Sequence, residues 1–520
     1  MKSINSASLD RAARSIPNAY PGPGGAFAVL KDGEVLIRHT WGFANAERRI
    51  PFTPRTLFRM CSITKQFTCG VALDAFPDLA TLDDDVRDHL PRLKGAIPGA
   101  AHLAHNQSGL RDYWAVAMLH GSPAEAPFGD LEARRLIDAT RSLQFTPGTR
   151  FSYVNQNFRL LSDIVQDRLG VSFADLLRQR IFDRVGMETA FLAADSRAMP
   201  DGTDGYEGTQ ATGFRAAANN IVWTGDAGLG ASLDDMIAWE RHIDSTRDDP
   251  NALYSRLSAP VAFADGQAAG YGFGLGRSTV FGRAITGHGG ALRGWRSHRL
   301  YCPAERISVV VMFNSLANAG GAATDLLAAT IGETLAGPNR DLAPPSWTAA
   351  YMEPETGLSA RIDAAAPGLL RLRFGHSAEI LELQPDGSAA GGPVRLRGED
   401  ELVWMERPGD NFSSRLEPLE GPAATDVAGR YLCEELGAEL TVTDTGGVIY
   451  GAFSGMLGQG RMELLEPVGG DTWVLPCPRA LDHTPPGDWT LAFRRDTNGA
   501  ISGVIVGCWL ARGLSYDRAI

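Results

Sequence analysis

A serine and a lysine three residues apart are the first side chains in this sequence that could do chemistry together. In Ser62-Ile63-Thr64-Lys65 the hydroxyl and the amine would share one face of a helix, within mutual reach. If Ser62 also begins that helix, its N–H points towards the substrate, and the helix dipole favours the negative charge of acyl transfer. The alternative is a chance match with a solvated lysine. However, the chain has only four lysines, and arginine would serve equally on a surface, so this lysine favours a group that must lose its proton.

Tyr153 and Asn155 form the second candidate pair. They are expected on a loop between a Pro-Gly-Thr turn signal and an amphipathic helix that begins near Phe158. A tyrosyl oxygen between two cations would have its pKa lowered enough to accept the serine proton, and the Asn155 amide would orient Lys65 and a substrate carbonyl. The alternative is a packed tyrosine in a turn.

The third candidate is His288-Gly289-Gly290, within TGHGGALRGW and just before the apolar run Ile307–Phe313. Glycines at the edge of a strand would let a substrate backbone lie close to it. The alternative is a glycine-rich hairpin with an incidental histidine. Each of the three signals is weak alone, and their occurrence in this order strengthens all of them.

The elements that must position these residues change character along the chain. Residues 20–336 mix short apolar strands with helix-period segments, which indicates an α/β or α+β domain over residues 1–336. The stretch GPNRDLAPPSW, residues 337–347, is rich in proline and polar residues and is typical of a linker. Beyond it, short β-rich runs separated by turn clusters predict two antiparallel barrels or sandwiches, at 348–418 and 419–520.

Charge and composition exclude several classes of function. The formal net charge of -12 leaves no basic excess to neutralise phosphates, so we expect no nucleic acid or anionic membrane as a partner. No secretory signal and no apolar run of about 18 residues is visible, which predicts a soluble cytoplasmic protein. The six cysteines lie far apart, and no residue spacing suggests a metal or a cofactor.

The chain resembles the penicillin-recognising serine hydrolases, which include serine β-lactamases, DD-peptidases, related esterases and D-aminopeptidases. The resemblance extends over residues 20–336. It rests on FRMCSITKQFT around Ser62, HNQSGL at 105–110, PGTRFSYVNQNFRLLSDIV around Tyr153, VGMETA at 185–190, AGLGASLDDM at 227–236 and YGFGLG at 271–276.

The family resemblance implies an antiparallel sheet covered by helices beside an all-helical lobe, with the active site between them. Ser62 would form an acyl-enzyme that water then hydrolyses. Lys65 and Tyr153 would share the general-base role. The backbone N–H groups of Ser62 and Ala291 would hold the oxyanion.

Two departures narrow the expected substrate. Many relatives carry Lys-Thr-Gly or Lys-Ser-Gly at the position of His288-Gly289-Gly290, where the cation and the hydroxyl engage a substrate carboxylate. Here Gly289 offers no hydroxyl and His288 is only partly charged near neutrality, which argues against carboxypeptidase or efficient β-lactamase activity. The extra β modules make the whole chain similar to the D-aminopeptidases of this family, which implies hydrolysis of peptides, amides or esters that bear a small N-terminal D-residue such as D-alanine.

A pocket for an N-terminal residue must hold an ammonium group, for which a buried carboxylate is the expected partner. The resemblance suggests Asp482, on the proline-stiffened loop at 477–487, which would reach into the cleft. Without the resemblance this segment would be interpreted as a surface hairpin loop. His105 and Cys61 are interpreted as structural residues.

Two alternatives remain open from the sequence. One is a broad esterase or DD-peptidase on the same scaffold. The other is a penicillin or muropeptide sensor that is acylated and stalls, or a scaffold whose β modules bind a partner. The expected ligands are a small peptide or amino-acid amide, with a β-lactam as a candidate inhibitor, and relatives suggest a homodimer.

Overall fold

The computed structural model describes residues 6–334, 337–399, 402–482 and 486–519. Its N-terminal part is built on an antiparallel sheet with strand order β3-β2-β1-β13-β12-β11-β10-β9. The central strands β1 and β13 are buried on both faces, as their runs of Val, Ile, Ala and Phe require. The strands of this part are β1 (Gly24–Lys31), β2 (Glu34–Asn45), β3 (Ile50–Pro51), β4 (Phe58–Arg59), β5 (Phe191–Leu192), β6 (Tyr206–Thr209), β7 (Gly213–Ala216), β8 (Leu229–Ala231), β9 (Tyr271–Gly272), β10 (Leu275–Val280), β11 (Arg283–Leu292), β12 (Trp295–Cys302) and β13 (Ile307–Phe313).

Helices cover both faces of this sheet. The first and last helices pack together over one face, where Leu9 and Ile16 share a core with Phe27 and Leu326. The other helices and the second face of the sheet form a larger core. The helices are α1 (Ser6–Ala19), α2 (Thr64–Ala75), α3 (Asp83–Asp88), α4 (Ala100–Ala104), α5 (Tyr113–Leu119), α6 (Asp130–Asp138), α7 (Asn155–Leu169), α8 (Phe173–Leu177), α9 (Asp183–Val185), α10 (Leu233–Thr246), α11 (Leu253–Leu257) and α12 (Ala319–Ile331). In the part of the chain that the structure describes, none of them is long and apolar enough to span a bilayer.

A closed antiparallel barrel follows. Leucine, isoleucine and valine alternate with polar residues along its strands, so one set of side chains fills the interior while the other faces outwards. The barrel strands are β14 (Ala350–Glu353), β15 (Leu358–Ala366), β16 (Leu369–Arg373), β17 (Glu379–Leu383), β18 (Ala389–Gly391), β19 (Val394–Glu399), β20 (Leu402–Arg407) and β21 (Phe412–Pro418).

The last part is one antiparallel sheet with main strand order β25-β24-β23-β22-β31-β30-β29-β28-β27, in which β26 also pairs with β24. Its core is continuous with that of the barrel and includes Ala115 and Leu119 of α5, so the three parts pack on each other. The strands are β22 (Gly429–Cys433), β23 (Ala438–Asp444), β24 (Ile449–Gly455), β25 (Gly458–Gln459), β26 (Glu463–Leu464), β27 (Glu466–Gly469), β28 (Thr472–Leu475), β29 (Trp489–Arg495), β30 (Ile501–Cys508) and β31 (Ala511–Arg518).

The predicted fold class is confirmed: a sheet-and-helix catalytic part precedes two antiparallel β parts. The predicted domain boundaries stay predictions. The prediction placed Asn155 on a loop, but the structure makes it the first residue of α7, because the helix starts three residues before the predicted Phe158. Tyr153 lies on the segment just before that helix.

Candidate active site

Ser62 lies in a tight turn at the start of α2. The turn is a 3-10 helix, Cys61–Ile63, that continues directly into the α-helix. Cys61 has φ +51°, a left-handed conformation that is unusual for a residue with a side chain and is typical of strained functional sites. The turn is held from the sheet, since the Ser297 hydroxyl donates to the Met60 carbonyl at 3.0 Å. Its surroundings therefore fix the serine before a substrate arrives.

Gly290 allows the strand β11 to approach this turn. A Cβ at this position would lie 2.2 Å from the Met60 carbonyl oxygen, closer than any real contact. The sequence argument assigned Gly290 to substrate binding. The structure instead places it against the nucleophile turn, while Gly289 and Ala291 line the cleft. Alternation along a strand explains the difference, because adjacent residues point to opposite faces.

Lys65 is buried with its amine at the centre of a hydrogen-bond network. Its Nζ donates to Ser62 Oγ at 3.0 Å, to Asn155 Oδ1 at 3.0 Å and to the Asp226 carbonyl at 2.7 Å. Burial lowers the pKa of Lys65 to about 8, and the nearby carboxylates of Asp226 and Asp112 oppose part of that shift. Desolvation of the charged form is the dominant cause. The amine is thus tuned to lose its proton near neutral pH.

Asn155 is positioned by a carboxylate that the sequence argument missed. Asp112 Oδ2 accepts from the Asn155 backbone N–H at 2.5 Å and from its side-chain amide at 3.0 Å. That leaves Asn155 Oδ1 turned to Lys65, as predicted. Asp112 also caps α5 by accepting from Trp114 N–H at 3.0 Å. An aspartate two residues after the end of the HNQSGL segment was the available signal.

Tyr153 has its ring beside the lysine and its hydroxyl near the serine. Lys65 Nζ lies 5.0 Å from the ring centroid, and the phenol shares a side-chain hydrogen bond with Ser62. The sequence argument expected a lowered pKa for this phenol, but burial raises the pKa of Tyr153 well above its ordinary value. The prediction failed because desolvation on burial has the largest effect on this phenol. Tyr153 is therefore protonated in the free enzyme.

His288 lies beside Tyr153 at the same site. Burial and the neighbouring Lys65 lower its pKa to about 3, so the imidazole is neutral at pH 7. Its Nε2 lies 3.0 Å from the Tyr271 hydroxyl, and its ring centroid lies 6.0 Å from that of Tyr153. The structure thus brings His288 to the site as an uncharged hydrogen-bonding group.

One edge of β11 is open beside the serine. The pairing of β10 with β11 ends at Gly287, whereas β12 continues to pair with β11 as far as Leu292. Within the described residues, the segment from His288 to Leu292 therefore has a strand partner on one side only. Its remaining backbone groups can bind an extended substrate, the mode called β-augmentation.

The open edge faces a cleft of about 570 Å³ that contains Ser62. All three parts of the chain line it: Ser62, Asp112, Trp114, Phe151, Tyr153, Asn155, Trp223, Gly289 and Ala291 come from the first, His376, Ser377, Glu379, Pro393, Arg407 and Asp410 from the barrel, and Asp482, Pro486, Trp509 and Leu510 from the last. Of these lining residues, the sequence predicted Ser62, Tyr153, Asn155, Gly289, Ala291 and Asp482 but none of those from the barrel. Because the barrel residues are far from Ser62 in the sequence, no local motif connects them with the site.

Asp482 reaches the cleft because contacts with the first domain hold its loop in place. The loop belongs to residues 477–487, of which 483–485 lie outside the described residues. Arg293 donates to the Ala480 carbonyl at 2.7 Å and is itself paired with Glu125 at 3.1 Å. Arg479, on the loop, also pairs with Glu125. The sequence argument missed Arg293, although an arginine directly after TGHGGAL was visible. Asp482 is itself buried, and its negative charge raises the pKa of Lys65, against the larger effect of burial.

The two residues interpreted as structural are both packed. The ring of His105 lies 4.5 Å from that of Phe273, edge to face. Cys61 is buried, which raises the pKa of its thiol to about 12.

The antiparallel sheet with its helices and the Ser62–Lys65 pair define a serine hydrolase of the β-lactamase type. Residues 9–332 match the family described as Beta-lactamase, and residues 341–517 match D-aminopeptidase, domain B. A D-aminopeptidase of Gluconobacter oxydans is 60% identical over 521 residues, or 99% of each chain. One of Brucella canis is 45% identical over 518 residues, or 100% of each. The chain belongs to the D-aminopeptidase family.

A solved structure extends the similarity to the fold. The octameric penicillin-binding protein homologue from Pyrococcus abyssi superimposes with a TM-score of 0.56 at 21% identity, over 79% of this chain and 99% of that one. At this identity the likeness is one of fold alone.

Proposed function

We propose that the enzyme releases a small N-terminal D-residue, such as D-alanine, from peptides, amides and esters through an acyl-enzyme on Ser62. The observation that carries this proposal is the 3.0 Å contact between Ser62 Oγ and a buried Lys65 whose pKa is about 8. With that pKa, about a quarter of the lysine is neutral at pH 7.5, against about 0.1% for an ordinary lysine. A neutral amine beside a serine hydroxyl is a general base.

Acylation then needs no charged histidine. Lys65 takes the proton from Ser62 Oγ while the oxygen attacks the substrate carbonyl. Tyr153, protonated and hydrogen-bonded to Ser62, gives its proton to the leaving nitrogen, and the proton on Lys65 replaces it. This proposal differs from the shared-base role that the resemblance implied for Tyr153. Water later attacks the ester, with the proton transfers reversed.

The developing oxyanion requires N–H donors. Ser62 N–H lies in the turn at the start of α2, and Ala291 lies on the open edge of β11. We assign the oxyanion to these two backbone groups, which need no reorganisation during the reaction. Gly289, also on this edge, leaves room for the substrate backbone.

Recognition of the amine is assigned to Asp482, which lines the same cleft as Ser62 and is buried. A carboxylate in such a position favours a substrate ammonium through a charge-assisted hydrogen bond. With the amine at Asp482, the carbonyl oxygen at Ala291 and the leaving group at Tyr153, the amine, Cα and the carbonyl plane are fixed. The side chain and the hydrogen on Cα then exchange places between the two enantiomers, so a site with room for a side chain at only one of these places selects one enantiomer.

The neutral His288 and the missing hydroxyl at Gly289 support an aminopeptidase over a DD-peptidase. A carboxypeptidase substrate ends in a carboxylate beside the scissile bond, and at this position the strand offers no cation for it. For the same reason we expect β-lactams to act as poor acylating inhibitors.

The test compares D-alanine p-nitroanilide with propionyl p-nitroanilide, which lacks the amine. Asp482→Asn is expected to lower kcat/KM for the amine-bearing substrate about 100-fold, because a charged hydrogen bond of about 2–3 kcal/mol is lost. The amine-free substrate should change less than threefold. Asp471→Asn, at a partly exposed, ion-paired carboxylate on the turn between β27 and β28, is the matched control. Equal losses on both substrates would contradict the ammonium role.

We also propose that the chain works in the cytoplasm as a homodimer, on the basis of its resemblance to its relatives. Sedimentation velocity tests the assembly. A single species of one-chain mass at micromolar concentration would contradict it.

A further inference from the structure

The barrel forms one wall of the active-site cleft and therefore lies close to the reacting groups. Glu379, Arg407 and Asp410 line the same cavity as Ser62. Trp509, from the last sheet, lines it beside them, with the Arg407 guanidinium 4.8 Å from its ring centroid. Nothing in the amine-binding or acylation steps uses these residues.

The part of this wall around Asp410 lies at the leaving-group end of the cleft. The backbone N–H of Phe151, two residues before Tyr153, donates to the Asp410 carbonyl at 3.2 Å. Gly270, beside the His288 partner Tyr271, donates to the Gly409 carbonyl at 3.4 Å. The barrel is thus docked directly against the segments that carry the Tyr153 end of the site.

The amine end lies further along β11. Arg293, just beyond the strand, holds the loop that carries Asp482. At about 3.3 Å per residue, the five residues from His288 to Arg293 span about 17 Å. A substrate lying along the open edge, with its ammonium at Asp482, therefore directs its leaving group towards the barrel.

Among the barrel residues that line the cleft, the two carboxylates of Glu379 and Asp410 outnumber the one guanidinium of Arg407. Arg407 Nε donates to Asp410 at 2.7 Å and its Nη1 donates to Glu379 at 2.8 Å, so one buried cation is shared by two carboxylates. Arg512 also stacks on Trp509, at 3.9 Å, but it does not line the cleft. A substrate carboxylate would have to displace a carboxylate from Arg407 or face an excess of negative charge.

We propose that this barrel wall is the leaving-group subsite, and that Glu379 and Asp410 make it select leaving groups that are neutral or cationic over those with a carboxylate next to the scissile bond. This inference rests on the proposed function. The preferred substrates are then D-residue amides and longer peptides, in which the C-terminal carboxylate lies beyond the wall. Dipeptides with a free carboxylate are disfavoured.

The experiment measures kcat/KM for D-alanyl-glycinamide and D-alanyl-glycine, which differ in one charge on the same leaving residue. In the wild type the amide is expected to be preferred about tenfold. The reason is that the free carboxylate of D-alanyl-glycine is repelled by one net negative charge of the wall, through partial screening by solvent. Glu379→Gln, which keeps an acceptor for Arg407, should reduce the ratio to about threefold or less. Asp410→Asn should reduce the ratio in the same way, and each variant serves as a substitute if the other folds poorly. The ratio cancels any general loss of activity. Glu406→Gln, exposed on the same barrel and outside the cleft, should leave the ratio at its wild-type value.

Hydrolysis of D-alaninamide separates the two proposals. If the wild type hydrolyses D-alaninamide but treats the two dipeptide substrates alike, or if both barrel variants keep the wild-type ratio, the subsite is overturned and the proposed function stands. If the wild type turns over none of the three substrates, the proposed function fails and the subsite fails with it.

Discussion

Asp226→Asn is expected to shift the pH dependence of hydrolysis to lower pH. The carboxylate of Asp226 is the largest of the charges that oppose the burial-driven drop in the pKa of Lys65. Its Oδ2 accepts from the Tyr113 hydroxyl at 2.5 Å, a hydrogen bond that an asparagine oxygen can also accept. The substitution therefore removes a charge and keeps the side-chain shape, but it loses the hydrogen bond that Oδ1 accepts from the Thr224 backbone N–H at 3.0 Å.

The magnitude follows from the pKa of about 8. If neutral Lys65 is the base, kcat of the wild type should rise about 16-fold from pH 6.5 to 8 and then only about twofold to pH 9.5. A lysine of ordinary pKa would give about a 30-fold rise over the second interval. Removing a nearby opposite charge lowers a lysine pKa by about one unit, so in Asp226→Asn the rise from pH 6.5 to 8 should shrink to about fourfold.

The assay follows p-nitroaniline release from saturating D-alanine p-nitroanilide between pH 6.5 and 9.5. We use kcat because the free substrate amine titrates in the same range and would distort kcat/KM. Asp175→Asn, at an exposed position of α8, is the matched control and should show the wild-type profile. A wild-type rate that keeps rising tenfold per pH unit up to pH 9.5 would refute the lowered pKa of Lys65. A pH profile of Asp226→Asn that matches the wild type would refute the electrostatic effect of Asp226 on that pKa.

Two further substitutions test the site. Tyr153→Phe keeps the ring beside Lys65 but removes the proton donor, so kcat on D-alaninamide should fall about 100- to 1,000-fold, whereas a D-alanine thioester, whose leaving group needs no proton, should lose much less. Equal losses on both substrates would return Tyr153 to the role of base. Gly290→Ala should destabilise the fold by about 1–3 kcal/mol, because its Cβ would meet the Met60 carbonyl at 2.2 Å. Gly289→Ala, whose Cβ would meet nothing closer than His298 at 3.4 Å, is the control, and a thermal melt showing equal stability for the two variants would contradict this packing role.

The sequence predicted those parts of the site that depend on local spacing. Ser62 and Lys65 are three residues apart at the start of a helix, and their contact follows from helix geometry. Alternating apolar residues likewise predicted the β parts, although alternation does not specify that eight strands close into a barrel.

The parts it missed depend on contacts between distant segments. Asp112 reaches Asn155 across 43 residues, and Arg407 reaches the cleft of Ser62 only because the barrel docks on the first domain. The raised pKa of Tyr153 was missed for a related reason. Its cause is burial, which a sequence motif does not reveal, whereas the expected cations were inferred from the motif.

The most direct test of the acyl-enzyme account is the release of p-nitroaniline from D-alanine and L-alanine p-nitroanilides by the wild type and by Ser62→Ala. The account predicts turnover of the D-substrate only, with a loss of at least about 10⁴-fold in the variant. Equal turnover of both enantiomers, or activity that survives in Ser62→Ala, would contradict it.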